Sequence, residues 1–198
     1  VSTKAEDIKT KTPKISSLCG NNVKARSLAY IIANDWGQNR KNLKCNQLLS
    51  DIAQRKAETM AEYGLVIHNL GGSPNSALRE AGYELPIYYG EKLNSNQVEA
   101  IAGGYSTSQG VFNAFKASSD HRSHLLGEHD FYLEQDEIGV GFVSKWESPH
   151  VEYWAVYIAK GTQKNEEVYE GKGSIPNKSN FILLKSEEPP FEFKPTGQ

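Results

Sequence analysis

The sequence predicts an α/β fold, and three observations carry that expectation. Residues 46 to 64 hold an apolar stripe at helical spacing, and two runs rich in β-branched and aromatic residues, 138 to 146 and 151 to 159, lie close enough to form a hairpin. The 198 residues are 38% hydrophobic, 23% charged and 10% aromatic, the composition of a globular chain of one-domain length.

Residues 1 to 20 are rich in Lys, Thr and Ser without a hydrophobic period, and they predict an extended arm ending at Cys19-Gly20. Val23, Leu28, Ile31, Ile32 and Trp36 then fall at helical spacing, with Asn22 to start the helix and Gly37 to stop it. The second helix is the stronger one. Asn46 serves as N-cap, Leu48, Leu49, Ile52, Ala53, Ala57 and Met60 share a stripe, and Gly64 suits a left-handed exit toward His68.

Gly71-Gly72-Ser73-Pro74 is turn chemistry, and Asn75 or Ser76 is expected to cap a short helix that ends at Gly82. Tyr83 to Gln97 reads as a long aromatic loop with exposed tyrosines. A short helical piece over Val98 to Ala102 is expected to carry Glu99 before Gly103-Gly104 breaks it, and Ser106 or Thr107 caps a helix through Val111, Phe112 and Phe115. His121 follows at a loop-to-helix junction. The 138–146 and 151–159 hairpin should form the centre of the sheet. Domain bounds follow: an arm over 1–20, a folded domain over 21–162, and a polar, Pro-containing tail over 163–198 packing on or near it.

Charge excludes one class of partner. The 22 basic residues are scattered and nearly balance the 24 acidic ones, so no basic stripe awaits nucleic acid. No apolar run approaches the ~20 residues of a membrane span. Cys19 and Cys45 permit one bridge across about 26 residues, worth about 3 to 4 kcal/mol in the chain-entropy model. Two unpaired thiols are the alternative, and the spacing is not a zinc motif.

Between residues 22 and 161 several segments resemble the CAP superfamily of cysteine-rich secretory, antigen 5 and pathogenesis-related proteins, in its bacterial form. Leu43-Lys44-Cys45-Asn46 is similar to the family's entry into its second helix, Ile67-His68-Asn69 to its first histidine segment, and Leu78-Arg79-Glu80-Ala81-Gly82-Tyr83 to a Leu-x-x-Ala-Gly-Tyr helix end. Ser118-Ser119-Asp120-His121-Arg122 resembles Ser-Pro-Gly-His-Arg, and Glu137-Ile138-Gly139-Val140-Gly141 resembles Glu-Ile-Gly-Val-Gly. The family's glutamate segment has two candidates, Gly90-Glu91-Lys92 and Val98-Glu99-Ala100-Ile101-Ala102. The second has the matching interval to Gly104-Tyr105 and to His121, which favours Glu99.

The resemblance implies a three-layer α-β-α sandwich with a mainly antiparallel sheet. It also implies an extracellular or cell-surface location and a cleft where His68, Glu99 and His121 converge. Two departures stand out. The helix containing Phe115 carries no second cleft glutamate, and His124 stands where the bacterial motif has Asn, either bonding nearby backbone or adding a third imidazole.

Two imidazoles and a carboxylate suit a divalent metal such as zinc, with His68 and His121 as ligands, and they equally suit hydrogen-bonded scaffolding of a cleft wall. The function expected is binding of a small molecule, lipid or glycan in the cleft, with or without metal. A metal-assisted hydrolase of peptides, esters or glycans, with Glu99 as base or third ligand, is a second reading. A structural or adhesion module is a third. Enzymatic activity stays open, leaning against it, since no nucleophile elbow is present.

Overall fold

The computed structural model describes residues 17–161. Four strands form one mixed sheet in the order β1-β3-β4-β2: β1 Lys44–Cys45, β2 Glu99–Gly103, β3 Glu137–Ser144 and β4 Glu152–Ala159. β3 and β4 are the expected central hairpin, registered Ile138 to Ile158, Val140 to Val156 and Phe142 to Trp154. β4 is buried on both faces, which is why it reads as a nearly continuous apolar run rather than an alternating one. Its Tyr153, Ala155, Tyr157 and Ala159 enter one core, and Trp154, Val156 and Ile158 enter the other.

Helices cover both faces, giving three layers. On the first face lies α2, Gln47–Tyr63, with α3, Pro74–Glu80. The Asn46 side chain accepts from the Leu49 N–H at 3.1 Å, and Gly64 leaves the helix at φ 69°. Leu49, Ile52, Ala53, Ala57 and Met60 press on the sheet. They come close because β3 carries glycine opposite them: a Cβ on Gly139 would collide with the backbone of Leu49 and Ser50, and one on Gly141 with that of Ala53. The Gly-Val-Gly motif is thus the seat of α2.

On the second face lie α1, Val23–Ala33, α4, Ser108–Ala117, and α5, Ser119–Leu126, with the one-turn α6, Asp130–Leu133, beyond them. Asn22 and Thr107 cap α1 and α4 by accepting from Ala25 and Gly110. Ala25, Leu28, Ile32, Val111, Phe112 and Phe115 form the core there. Cys19 and Cys45 are bonded to each other, tying the chain before α1 to β1.

Behind α5, the buried Arg40 guanidinium donates to the carbonyls of His124 at 2.7 Å, Leu125 at 2.9 Å and Tyr132 at 2.9 Å. Burial lowers its pKa to about 10, against the pull of Tyr89 and Asp136.

Several expectations are corrected. Val98 to Ala102 is not helical: Glu99–Gly103 is a strand paired antiparallel with Tyr153–Tyr157. The local signal is helix-like, since the Asn96 side chain accepts from the N–H groups of Val98 and Glu99 as a cap would. Five residues are too few to sustain a helix against the open edge of β4.

The first helix stops at Ala33 rather than near Gly37. Asp35 accepts from the Gly37 N–H at 2.8 Å in a turn, and Trp36 is 93% exposed. α3 is capped by Ser73, not by Asn75 or Ser76, because Pro74 takes the first helical position and moves the cap one residue upstream. Asn75 is buried instead, donating to the carbonyl of Gly90 and to Gln97.

The 83–97 stretch has no regular element, as expected, but Tyr89 is buried and only Tyr88 is exposed. Of the arm, the described end forms a 3-10 turn at Ser17–Cys19 with Cys19 buried in the core. Residues 1–16 and the tail over 163–198 lie outside the described residues. Among those described, no helix is long and apolar enough to cross a membrane.

Candidate functional site

The first residue of β2 organises the site. Its register opposite Tyr157 turns Glu99 into the α2 side of the sheet, where its side chain is 0% exposed. A buried carboxylate needs partners to offset its lost hydration, and Glu99 has three. One oxygen lies 2.8 Å from His68 Nδ1; the other accepts from the Tyr157 hydroxyl and lies 3.8 Å from Lys56 Nζ.

Lys56 also donates to the His68 carbonyl at 2.6 Å, so one ammonium holds both the charge and the backbone of the pair. Asn96 donates to the Glu99 carbonyl at 3.0 Å and abuts His68 Nδ1. Burial pushes the Tyr157 phenol well above its ordinary pKa, and the Glu99 charge adds to the rise. Burial lowers the Lys56 pKa, with Glu99 pulling the other way. His68 Nδ1 is turned to Glu99 and Asn96, so Nε2 is the ring nitrogen left outside this network.

His121 is the third residue of α5 and is buried against the Phe115 ring, 5.1 Å between centroids. Its pKa is pushed down to about 4, first by burial and then by the charge of His68. Its Nδ1 has no hydrogen-bond partner among the described residues. His124 takes the backbone role: fully buried, it directs Nε2 at the Ile158 carbonyl, 3.3 Å away, and packs at a tilt against Tyr132. Burial and then the Arg40 charge lower its pKa to about 3. His129 caps α6 and His150 packs edge-on against Tyr153, both structural placements. Glu91 is exposed.

A cavity of about 320 Å³ opens beside His68, between α2, the 68–73 loop and α3. His68, Lys56 and Tyr157 form its polar floor, while Glu99 and His121 are not part of its walls. Sequence spacing missed Lys56, Tyr157 and Asn96. One signal pointed to Lys56, a charged residue among the apolar positions Ile52, Ala53, Ala57 and Met60 of α2.

As a metal centre the arrangement offers two imidazoles. Both oxygens of Glu99 are held by His68, Tyr157 and Lys56, and no cluster of three or more His, Cys, Asp or Glu side chains among the described residues is arranged to hold a metal ion.

No family model matches the chain, and no curated protein matches it. Among solved structures the chain is similar to an outer surface protein of Borrelia burgdorferi, at 20% sequence identity and a TM-score of 0.53, covering 72% of this chain and 99% of that one. At that identity the likeness is one of fold, an α/β domain with helices on both faces of a mixed sheet.

Proposed function

We propose that the chain is a secreted or cell-surface protein of the CAP type that binds a small ligand, with the cavity beside His68 as its site. The observation that carries this reading is Glu99: a fully buried carboxylate, with Lys56 and Tyr157 around it, holds one ring nitrogen of His68 and leaves the other free at a cavity wall. A buried charge that serves a half-open imidazole organises a site more than it stabilises a core. The Cys19–Cys45 bond supports an oxidising compartment, and the fold likeness to an outer surface protein fits a surface location.

The test is a thermal-shift and calorimetric screen of small molecules, lipids and glycans against the wild type, His68→Ala and Ala77→Phe, the last placing a ring in the cavity. Ligands should lose affinity in both variants. Ligands that bind both as they bind the wild type would end the reading.

A second reading has its own observation, the buried and unpartnered Nδ1 of His121. Here His68 and His121 share a divalent metal such as zinc, with solvent or ligand completing the coordination. Zinc uptake should fall in His68→Ala and in His121→Ala, and acid should release bound metal, since protons compete for the same lone pairs. Equal uptake by wild type and variants sinks it. Metal-assisted hydrolysis is the less supported extension, because Glu99, its base, has both oxygens engaged.

A further inference from the structure

The lining of the cavity beside His68 includes opposite charges from two helices. α2 contributes Arg55 and α3 contributes Glu80, both exposed residues. Lys56, the other charged group of the wall, is committed to Glu99 and to the carbonyl of His68. Arg55 and Glu80 are not so committed: among the described residues neither side chain makes a hydrogen bond or an ion pair, and they do not pair with each other. The Arg55 charge is felt inside the cavity, where it opposes the upward push of burial on the Tyr157 phenol.

The lining between these charges mixes aliphatic side chains, among them Ile52, Leu70, Pro74 and Ala77, with the hydroxyls of Thr59 and Ser73. His68 also lines the cavity, and its Nε2 makes no hydrogen bond among the described residues, since Nδ1 is the nitrogen turned to Glu99 and Asn96. A volume of about 320 Å³ is at the lower bound of small-molecule sites.

We propose that the cavity takes a small aliphatic zwitterion, a free α-amino acid with a branched aliphatic side chain. Its carboxylate pairs with Arg55, its ammonium donates to Glu80, and its side chain packs on Ile52, Leu70 and Ala77. A neutral sugar would leave both charges without a counterpart, and a fatty acid would leave Glu80 facing only negative charge. The proposal rests on reading this cavity as the ligand site.

The experiment is isothermal titration of the full chain with leucine, and with two analogues that each lack one charge, 4-methylpentanoate and isoamylamine. Leucine should bind, and each analogue should bind more weakly by about tenfold or more, the loss of one charge-assisted contact. Arg55→Gln should weaken leucine about tenfold and leave isoamylamine unchanged, and Glu80→Gln should weaken leucine and leave 4-methylpentanoate unchanged. Both sites are exposed, so unchanged thermal midpoints verify that the variants are folded.

Absence of leucine binding at millimolar concentration overturns the proposal, as do analogues that bind as well as leucine or variants that bind it as the wild type does. If leucine fails while another ligand is lost on Ala77→Phe, the zwitterion assignment falls alone. If Ala77→Phe leaves every ligand of the screen untouched, the reading of the cavity falls with it.

Discussion

Replacing Glu99 by Gln keeps the outline of the side chain and removes its charge, which leaves the Lys56 ammonium buried without its counter-ion. The two side chains are 7% and 0% exposed and their charged atoms are 3.8 Å apart. At that distance, with an effective dielectric constant of about 20, the attraction is about 4 kcal/mol, and stripping one partner from a buried pair costs about 3 to 5 kcal/mol. Glu99→Gln should therefore destabilise the fold by about 3 kcal/mol at pH 7.

Lys56→Met should cost a similar amount, since it also removes the 2.6 Å hydrogen bond to the His68 carbonyl. The double variant buries neither charge. Its loss should fall short of the two single losses combined by about 2 kcal/mol or more.

Urea unfolding followed by tryptophan fluorescence, with Trp154 fully buried, measures each corner of the cycle. The deficit of Glu99→Gln should also shrink as pH rises. A buried lysine without its carboxylate prefers the neutral form, so the unfolded chain binds the extra proton and stability increases with pH. Losses that add within about 0.5 kcal/mol, or a deficit independent of pH, would refute the coupling.

Three further outcomes are expected. His124 has its pKa lowered from 6.5 to about 3 by burial, so the unfolded state takes up its proton first: stability is full above about pH 6.5, falls as pH drops toward the folded value, and is about 2 kcal/mol lower at pH 5. His124→Asn should flatten the pH dependence of urea unfolding over that window, and identical slopes would remove His124 as its source. Gly141→Ala forces a methyl into the backbone of Ala53 and should cost about 3 kcal/mol, read from the thermal midpoint; a variant as stable as the wild type would show that α2 is not seated on this glycine. Opening the 26-residue loop closed by Cys19 and Cys45, with Cys19→Ser and Cys45→Ser together, should cost about 3.5 kcal/mol by loop entropy, and a reductant should then have no further effect on the variant.

What the sequence made legible was whatever depends on neighbours along the chain. The α2 stripe, its Asn46 cap and its Gly64 exit are local signals with one physical solution, as is the β3–β4 hairpin. β2 reads wrongly from sequence because its cap-like Asn96 is local while the partner that makes it a strand lies more than fifty residues away in β4. Cys19 and Cys45 left their pairing open for the same reason.

At the site, motif spacing preferred Glu99 to Glu91; in the fold Glu99 lies 2.8 Å from His68 while Glu91 is exposed. Lys56 and Tyr157 were invisible as site residues. One is masked by an otherwise apolar helix face and the other by a β-rich run where tyrosine is expected. Nor does spacing reveal that the cavity opens toward α3 and not toward His121, since that depends on how α3 and the 68–73 loop pack.

The Arg40 guanidinium bears on how the domain breathes. It draws the ends of α5 and α6 onto the chain that links α1 to β1, through carbonyls 84 to 92 positions away. None of these pieces can detach without stranding a buried cation, so their backbone amides should exchange with solvent as one cooperative unit rather than fraying separately. His121 and His124 sit in the helix that unit contains. The imidazole of His121 is therefore held in place by a bolt at the C-terminal end of its own helix, and motion that exposes it must first open that bolt.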